Sequence, residues 1–150
     1  MTAEQNTPQT QKPGLLIRLL AIIYDCLLLI ALLMIATLPY IMIIGGPPQS
    51  LTARLGLQLY LLVIIVGFFG WFWTHGGQTL GMRSWRLKLV TNNGDKLGWT
   101  VVFKRLFGAL LSATAVGLGY IWIVFDPQQR SWHDILSGTH LIRLPKKKKS

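Results

Sequence analysis

Two long stretches of the chain carry almost no charge, and they constrain its fold more than any other feature. Between Leu19 and Ala53 the only charged side chain is Asp25, and between Leu55 and Met82 there is none. A helix needs about 20 apolar residues to cross the hydrocarbon core of a bilayer. With 51% hydrophobic and 13% charged residues, the composition also departs from that of a soluble domain. The sequence predicts an all-α integral membrane protein.

The first two apolar stretches predict two transmembrane helices. The first helix is expected from Leu15 to Leu38, where Pro39 ends or kinks it. After a turn at IGGPPQS, the second helix is expected from Leu55 to Thr74, and it ends in an aromatic cluster typical of the membrane interface.

The two ends of the chain differ from this transmembrane domain, which is predicted over residues 15–144. Residues 1–14 are polar and contain Pro and Gly, so we expect a disordered N-terminal tail. Residues 145–150 form a basic C-terminal tail with the sequence PKKKKS.

A third apolar segment, residues 106–125, is predicted either to span or to be re-entrant or broken at its small-residue centre, ATAVGLG. With a cytoplasmic N-terminus, a full span leaves eight Lys and Arg residues inside and seven outside, whereas a re-entrant segment leaves fourteen inside and one outside. The positive-inside rule favours the second arrangement. Twenty uncharged residues are nevertheless enough for a plain span. We expect a multi-pass protein of the cell membrane with its N-terminus in the cytoplasm.

Alternating residues predict a small sheet in the basic part of the chain. WRLKLV alternates apolar and charged side chains and is followed by an Asn-Gly turn signal, which predicts a β-hairpin at the cytoplasmic face. The segment GTHLIRL near the C-terminus alternates in the same way, so the sheet has two or three strands.

Asp25 lies inside the first predicted helix, where an acid costs about 2.5 to 3.5 kcal/mol on insertion scales. Arg18 shares its helix face, but two turns separate the residues by about 10.5 Å along the axis. We therefore expect the partner of Asp25 on another helix. Arg105 is the obvious cation, and backbone or hydroxyl donors such as Ser112, Thr114 and Tyr60 are the alternatives. Two interpretations stay open, a structural acid between helices and an acid that handles protons or cations.

Four sequence motifs, taken in order, resemble the RDD family of small multi-pass membrane proteins, named for one arginine and two aspartates. Arg18 and Asp25 match the first arginine and aspartate. GGQTLGMRSWRLKLV resembles the family segment after the second helix, and Arg105 matches the arginine before the third apolar run. QRSWHDILSGT resembles the closing pattern, in which Asp134 is the second aspartate. Met82 and Ser137 depart from the residues common at their positions.

The motifs suggest roles for individual residues. Between Gly77 and Gly81, Thr79 suits a tight turn in which glycine supplies positive φ and the hydroxyl caps a local amide. Asp134 is expected to be structural, bonded to Arg18 or Arg105 or capping a backbone segment. No nucleophile elbow, phosphate loop or zinc spacing is present, so we expect neither an enzyme nor a bound metal or cofactor.

The function implied by the resemblance is transport of an unidentified ligand. In that interpretation Arg18, Asp25, Arg105 and Asp134 form a charge network along a polar path for an ion or small polar ligand. Three apolar segments are too few to enclose a path, so we expect a homo-oligomer or a companion membrane subunit. The alternative is a non-transporting partner or assembly subunit whose buried charges are structural. The net charge of +10 indicates anionic lipid headgroups rather than nucleic acid as the partner.

Overall fold

The computed structural model describes residues 12–145. The expected tails therefore lie almost wholly outside the described residues. The exceptions are residues 12–14, where Pro13 is buried, and Pro145. The elements follow in the order α1 (Leu15–Ile44), α2 (Leu51–Thr74), α3 (Leu80–Ser84), β1 (Leu87–Thr91), α4 (Trp99–Thr114), α5 (Leu118–Ile121), a 3-10 turn (Trp122–Val124), α6 (Trp132–Ser137) and β2 (Thr139–Arg143).

The two long helices are both long and apolar enough to cross a membrane. In the most apolar window of each, only 11% of α1 and 6% of α2 is buried within the protein, so most of their side chains are available to lipid. They pack against each other near their connection, where the Tyr40 hydroxyl donates to Ala53 O at 2.7 Å. Both predicted transmembrane helices are confirmed.

Helix α1 does not end at Pro39 but continues to Ile44. Proline removes one hydrogen bond of the helix ladder, and in apolar surroundings the adjoining backbone has no better partner than the helix itself. The helix ends at Gly45, which adopts φ 77°. Helix α2 starts four residues before the predicted Leu55, because the Ser50 side chain caps it by accepting from Ala53 N at 3.1 Å.

The third apolar segment is a bent pair of helices. Helix α4 and the stretch Leu118–Val124 meet at 108° across a short break. The break falls in the predicted small-residue centre, where Val116 has φ 56° and Gly117 has φ 77°. Helix α4 begins at Trp99, so Arg105 lies inside it rather than before it. The buried face of α4 repeats at helical spacing through Val102, Arg105, Gly108 and Ser112.

The predicted small antiparallel sheet is confirmed, with one difference in its pairing. The partner of β1 is β2 near the C-terminus, with Leu89 opposite Leu141, and not the stretch directly after the Asn-Gly turn. That stretch is only a few residues long before α4 starts, so it leaves the edge of β1 open to β2. Leu87, Leu89 and Leu141 join the buried core beneath the sheet, together with Ala21, Trp73, Met82 and Val102.

The strand pairing also constrains the bent segment. Strand β1 precedes the segment and β2 follows it, yet the two are hydrogen-bonded neighbours. Both ends of the segment therefore lie at the same face of the protein, which favours a re-entrant form over a full span.

We expect reporters fused before Leu15 and after Lys149 to lie on the same side of the membrane, because α1 and α2 cross it and the bent segment returns. A reporter inserted between Gly46 and Pro47, in the connection between α1 and α2, should lie on the opposite side. The side of each position is measured with two reporters fused there in turn, one active only in the cytoplasm and the other active only on the opposite side of the membrane. Termini on opposite sides would contradict a re-entrant segment.

Candidate functional site

Asp134 lies between the guanidinium groups of Arg18 and Arg105. Arg18 Nη1 is 3.1 Å from one carboxylate oxygen, and Arg105 Nη1 is 2.7 Å from the other. All three residues are buried, with no more than 4% of any of them exposed. Because Arg18 lies in the first turn of α1, Arg105 lies in α4 and Asp134 lies in α6, one carboxylate joins three distant parts of the chain.

Local structure fixes the orientation of each member of this group. Asp134 accepts a hydrogen bond from Ser131 N at 3.2 Å, the N-terminal capping position of α6. Arg18 Nε donates to Pro13 O at 3.1 Å. Arg105 Nη1 also donates to Thr139 Oγ1 at 2.6 Å, at the start of β2. The group therefore couples the turn before α1 to the C-terminal strand.

The charges around Asp134 keep it ionised. Burial raises the pKa of its carboxyl, but the charges of Arg105 and Arg18 and the hydrogen bond from Arg105 outweigh that effect and lower the pKa below its ordinary range. Burial and the charge of Arg105 lower the pKa of neighbouring His133 to about 3, so His133 is neutral at pH 7. Both pKa values are depressed in the folded state, so the fold loses stability as pH falls. The loss from His133 starts below its unfolded pKa near 6.5, whereas that from Asp134 comes only in stronger acid.

Asp25 has a separate site formed by neutral donors. The Thr79 hydroxyl donates to one carboxylate oxygen, and Gly81 N donates to the other at 2.8 Å. The expected pairing with Arg105 is therefore wrong. The alternative, a backbone or hydroxyl donor from another helix, is the kind of partner found, but the three residues named for it are not the donors. Thr114 donates to Leu111 O, Tyr60 stacks on Tyr40, and Ser112 Oγ has no hydrogen-bond partner within residues 12–145. The Thr79 and Gly81 donors are available to the carboxylate because they belong to the start of α3, where the first backbone N–H groups of a helix lack partners within the helix.

The turn motif at Gly77, Thr79 and Gly81 holds this second site together. Gly77 has φ 69°, as expected of a glycine in a tight turn. Thr79 caps α3 by accepting a hydrogen bond from Met82 N at 3.2 Å, and the same hydroxyl donates a hydrogen bond to Asp25. Gly81 is needed for a different reason: a Cβ there would lie 2.8 Å from Asp25 Cγ, and closer still to Ala21 O. The absence of a side chain lets α3 approach α1.

Both sites border one cavity of about 180 Å³. Arg18, Asp25, Thr79 and Arg105 contribute to its wall, although Asp25 and the arginines do not contact one another. Most of the remaining wall is apolar, including Ala21, Ile22, Phe69, Leu106, Ala109 and Ile123. Among residues 12–145 no group of three or more His, Cys, Asp and Glu side chains is placed to hold a metal ion.

The four charged residues predicted from the sequence thus form two sites rather than one network. Arg18, Arg105 and Asp134 are brought together, and Asp25 is not among them. Sequence reasoning missed Thr139 and the capping role of Ser131, although both lie in the segment QRSWHDILSGT. A serine three residues before an acid is a recognisable capping pattern and could have identified the second of these.

Substituting Gly81→Ala should destabilise the protein by about 1 to 3 kcal/mol, because the added methyl group pushes α3 away from α1 and Asp25. Gly76→Ala is the matched control, since a Cβ at that position meets nothing within 4 Å. Unfolding of the purified protein by SDS in detergent micelles measures both free energies. Equal stability of the two variants would show that the close approach of α3 to α1 does not matter.

Comparison with known proteins identifies the chain at the level of family. Searches of curated proteins and of solved structures each found no match. The model of the RDD family matches residues 12–138, which is most of the chain and includes Arg18, Asp25, Arg105 and Asp134. The chain therefore belongs to the RDD family of membrane proteins.

Proposed function

We propose that the protein forms part of a membrane pathway for an ion or a small polar ligand. The observation that carries this proposal is the shared cavity: the acid of α1 and two arginines border one space of about 180 Å³ without pairing the acid to either cation. Charged groups inside a membrane domain are costly and usually serve a pathway or a binding site.

Asp25 is the group we expect to change state during transport. Asp134 contacts two guanidiniums, so protonating it would leave two buried cations without their counter-ion. Asp25 accepts from a hydroxyl and a backbone N–H, both neutral. Gaining a proton or exchanging a cation there breaks no ion pair.

A complete pathway requires a homo-oligomer or a companion membrane subunit. Two long helices and one bent pair do not enclose a pore, and large apolar side chains such as Leu59, Leu62 and Val63 are exposed along α2. Gly67, also on α2, has open space above it, so a second helix can approach closely there. By contrast, Gly70 and Gly108 already pack against Trp99 and His133 of the same chain.

The setting we propose is the cell membrane, with a cytoplasmic N-terminus. The bent segment and both strands then lie on the cytoplasmic side together with fourteen of the fifteen Lys and Arg residues. Apart from the buried Arg18 and Arg105, these cations are available to anionic lipid headgroups. Lipid headgroups thus account for the positive charge of the protein, and we propose no nucleic-acid partner. We propose no enzymatic activity.

A non-transporting partner or assembly subunit is the second candidate function. It is favoured by the hydrogen bonding of Asp134, because both carboxylate oxygens accept from donors of the same chain, namely Arg18, Arg105 and Ser131 N. In this function the charges hold the fold, and the exposed apolar faces of the long helices contact another membrane protein.

Flux measurements on variants of Asp25 distinguish the two functions. Asparagine matches aspartate in shape and accepts hydrogen bonds but cannot ionise. If the charge of Asp25 works in transport, Asp25→Asn should insert and fold but lose most of the pH- or ion-dependent flux of protein reconstituted in liposomes. Asp25→Leu is the control for the scaffold, because it leaves the Thr79 and Gly81 donors unpaired and should destabilise the fold by about 1 to 3 kcal/mol.

Full flux in the folded Asn variant would contradict a transport role for Asp25. Absence of flux in the wild-type protein, alone and with its membrane partners, would favour the second candidate function.

A further inference from the structure

Three of the side chains around the cavity carry a buried nitrogen that has no hydrogen-bond partner. In residues 12–145 five buried side-chain atoms lack one, and three of these are Trp73 Nε1, Arg105 Nε and His133 Nδ1. All three residues line the cavity, and none is more than 8% exposed. Since the great majority of buried polar atoms in proteins are hydrogen-bonded, their concentration around one cavity calls for an acceptor that is not part of the chain.

The missing group is an acceptor because two of the unpartnered nitrogens can only donate and the third donates in one tautomer of its ring. Indole Nε1 and guanidinium Nε carry hydrogen and cannot accept. His133 Nε2 lies 2.8 Å from Ser131 Oγ. When that hydroxyl donates to Nε2, the neutral ring carries its proton on Nδ1, which becomes the third donor.

The charge balance favours an anion over a neutral acceptor. Arg18 and Arg105 both contact one carboxylate, Asp134, so this side of the cavity has one positive charge in excess. With Asp25 ionised the four buried charges sum to zero, but the Asp25 carboxylate accepts from Thr79 and Gly81 and contacts neither arginine, so the positive charge beside Arg105 is not neutralised by contact. Arg105 also lies over the Trp73 ring, with Cζ 5.0 Å from the centroid, so two of the three donors are adjacent.

The rest of the wall sets the size and polarity of the ligand. It is mainly apolar, with Ile22, Leu106 and Ile123 among its residues. The volume of about 180 Å³ slightly exceeds the roughly 150 Å³ of an engineered cavity that binds benzene. Cys26 is both part of the wall and exposed, so the cavity is open beside α1.

We propose that this cavity binds a small organic monocarboxylate with an apolar body about the size of one six-membered ring. The carboxylate accepts from Arg105, Trp73 and His133, and the apolar body lies against Leu106 and Ile123. This inference deepens the proposed function by naming a substrate class, and it rests on that function only for the step across the membrane. Binding itself does not depend on transport.

Calorimetric titration of the full chain in lipid nanodiscs tests the binding, with benzoate as the probe and protein-free nanodiscs as the baseline. Benzoate should bind saturably, and benzyl alcohol, a neutral analogue of similar size, should bind at least about tenfold more weakly, since hydrogen bonds to a charged group contribute more than neutral ones. Absence of saturable benzoate binding at millimolar concentration, or equal binding of the two compounds, would overturn the proposal.

A matched pair of tryptophan variants tests the site. Trp73→Phe removes the indole N–H but keeps an aromatic ring beside Arg105, and it should weaken benzoate binding about tenfold. Trp71→Phe makes the same change two residues away, at a 61% exposed side chain outside the cavity wall, and should leave binding unchanged. Equal affinity in the two variants would overturn the assignment and leave buried water as the partner of these nitrogens.

Transport and binding can fail separately in these experiments. Saturable benzoate binding without any flux in liposomes, either for the protein alone or with its membrane partners, would sustain this inference and contradict the proposed transport. Ion flux without benzoate binding would sustain transport and overturn this inference. If Trp73→Phe does not fold, the comparison of benzoate with benzyl alcohol in the wild-type protein still decides.

Discussion

The carboxylate of Asp134, held between Arg18 and Arg105, is the interaction on which the rest of the structure depends. It connects residues 116 positions apart in the chain and fixes the bent segment between them. Removing one member of a buried charge pair costs about 3 to 5 kcal/mol, because the other charge stays buried without a counter-ion. The pairing of β1 with β2 depends on the same group, since Arg105 also donates to Thr139 at the first residue of β2. Of the three residues matched to the arginine and two aspartates of the family name, Arg18 and Asp134 belong to this ion-pair network.

The second aspartate site has a different physical character. Asp25 joins α1 to the turn after α2 through neutral donors, and Gly81 permits the close approach. One carboxylate is therefore fixed by charge and the other by hydrogen bonds alone. That difference is why we propose a structural role for Asp134 and a role in transport for Asp25, even though residues of both sites line the same cavity.

The sequence predicted those parts of the fold that depend on local composition. The two long helices follow from apolar runs, and the break near Gly117 follows from small residues that tolerate a sharp bend. The choice of partners was not predictable, because any of several cations or donors satisfies a buried acid on energetic grounds. Thr79, 54 residues from Asp25, was selected by the geometry of α3, which no local pattern records. Both strands were predicted, but the direct pairing of β1 with β2 was not, because it depends on how the intervening helices fold back.

The measurement that tests the central claim most directly is a double-mutant cycle between Arg105 and Asp134. Arg105→Gln and Asp134→Asn, made singly and together, should show a coupling energy of about 0.5 to 3 kcal/mol for SDS unfolding in micelles, because contacting groups are not independent. Asp126→Asn with Arg105→Gln is the control pair, since Asp126 pairs with Arg130 instead, and its effects should add within about 0.5 kcal/mol. Coupling in the first pair but not in the second is the result we predict. Additive effects of Arg105→Gln and Asp134→Asn would contradict the claim that this ion pair holds the fold together.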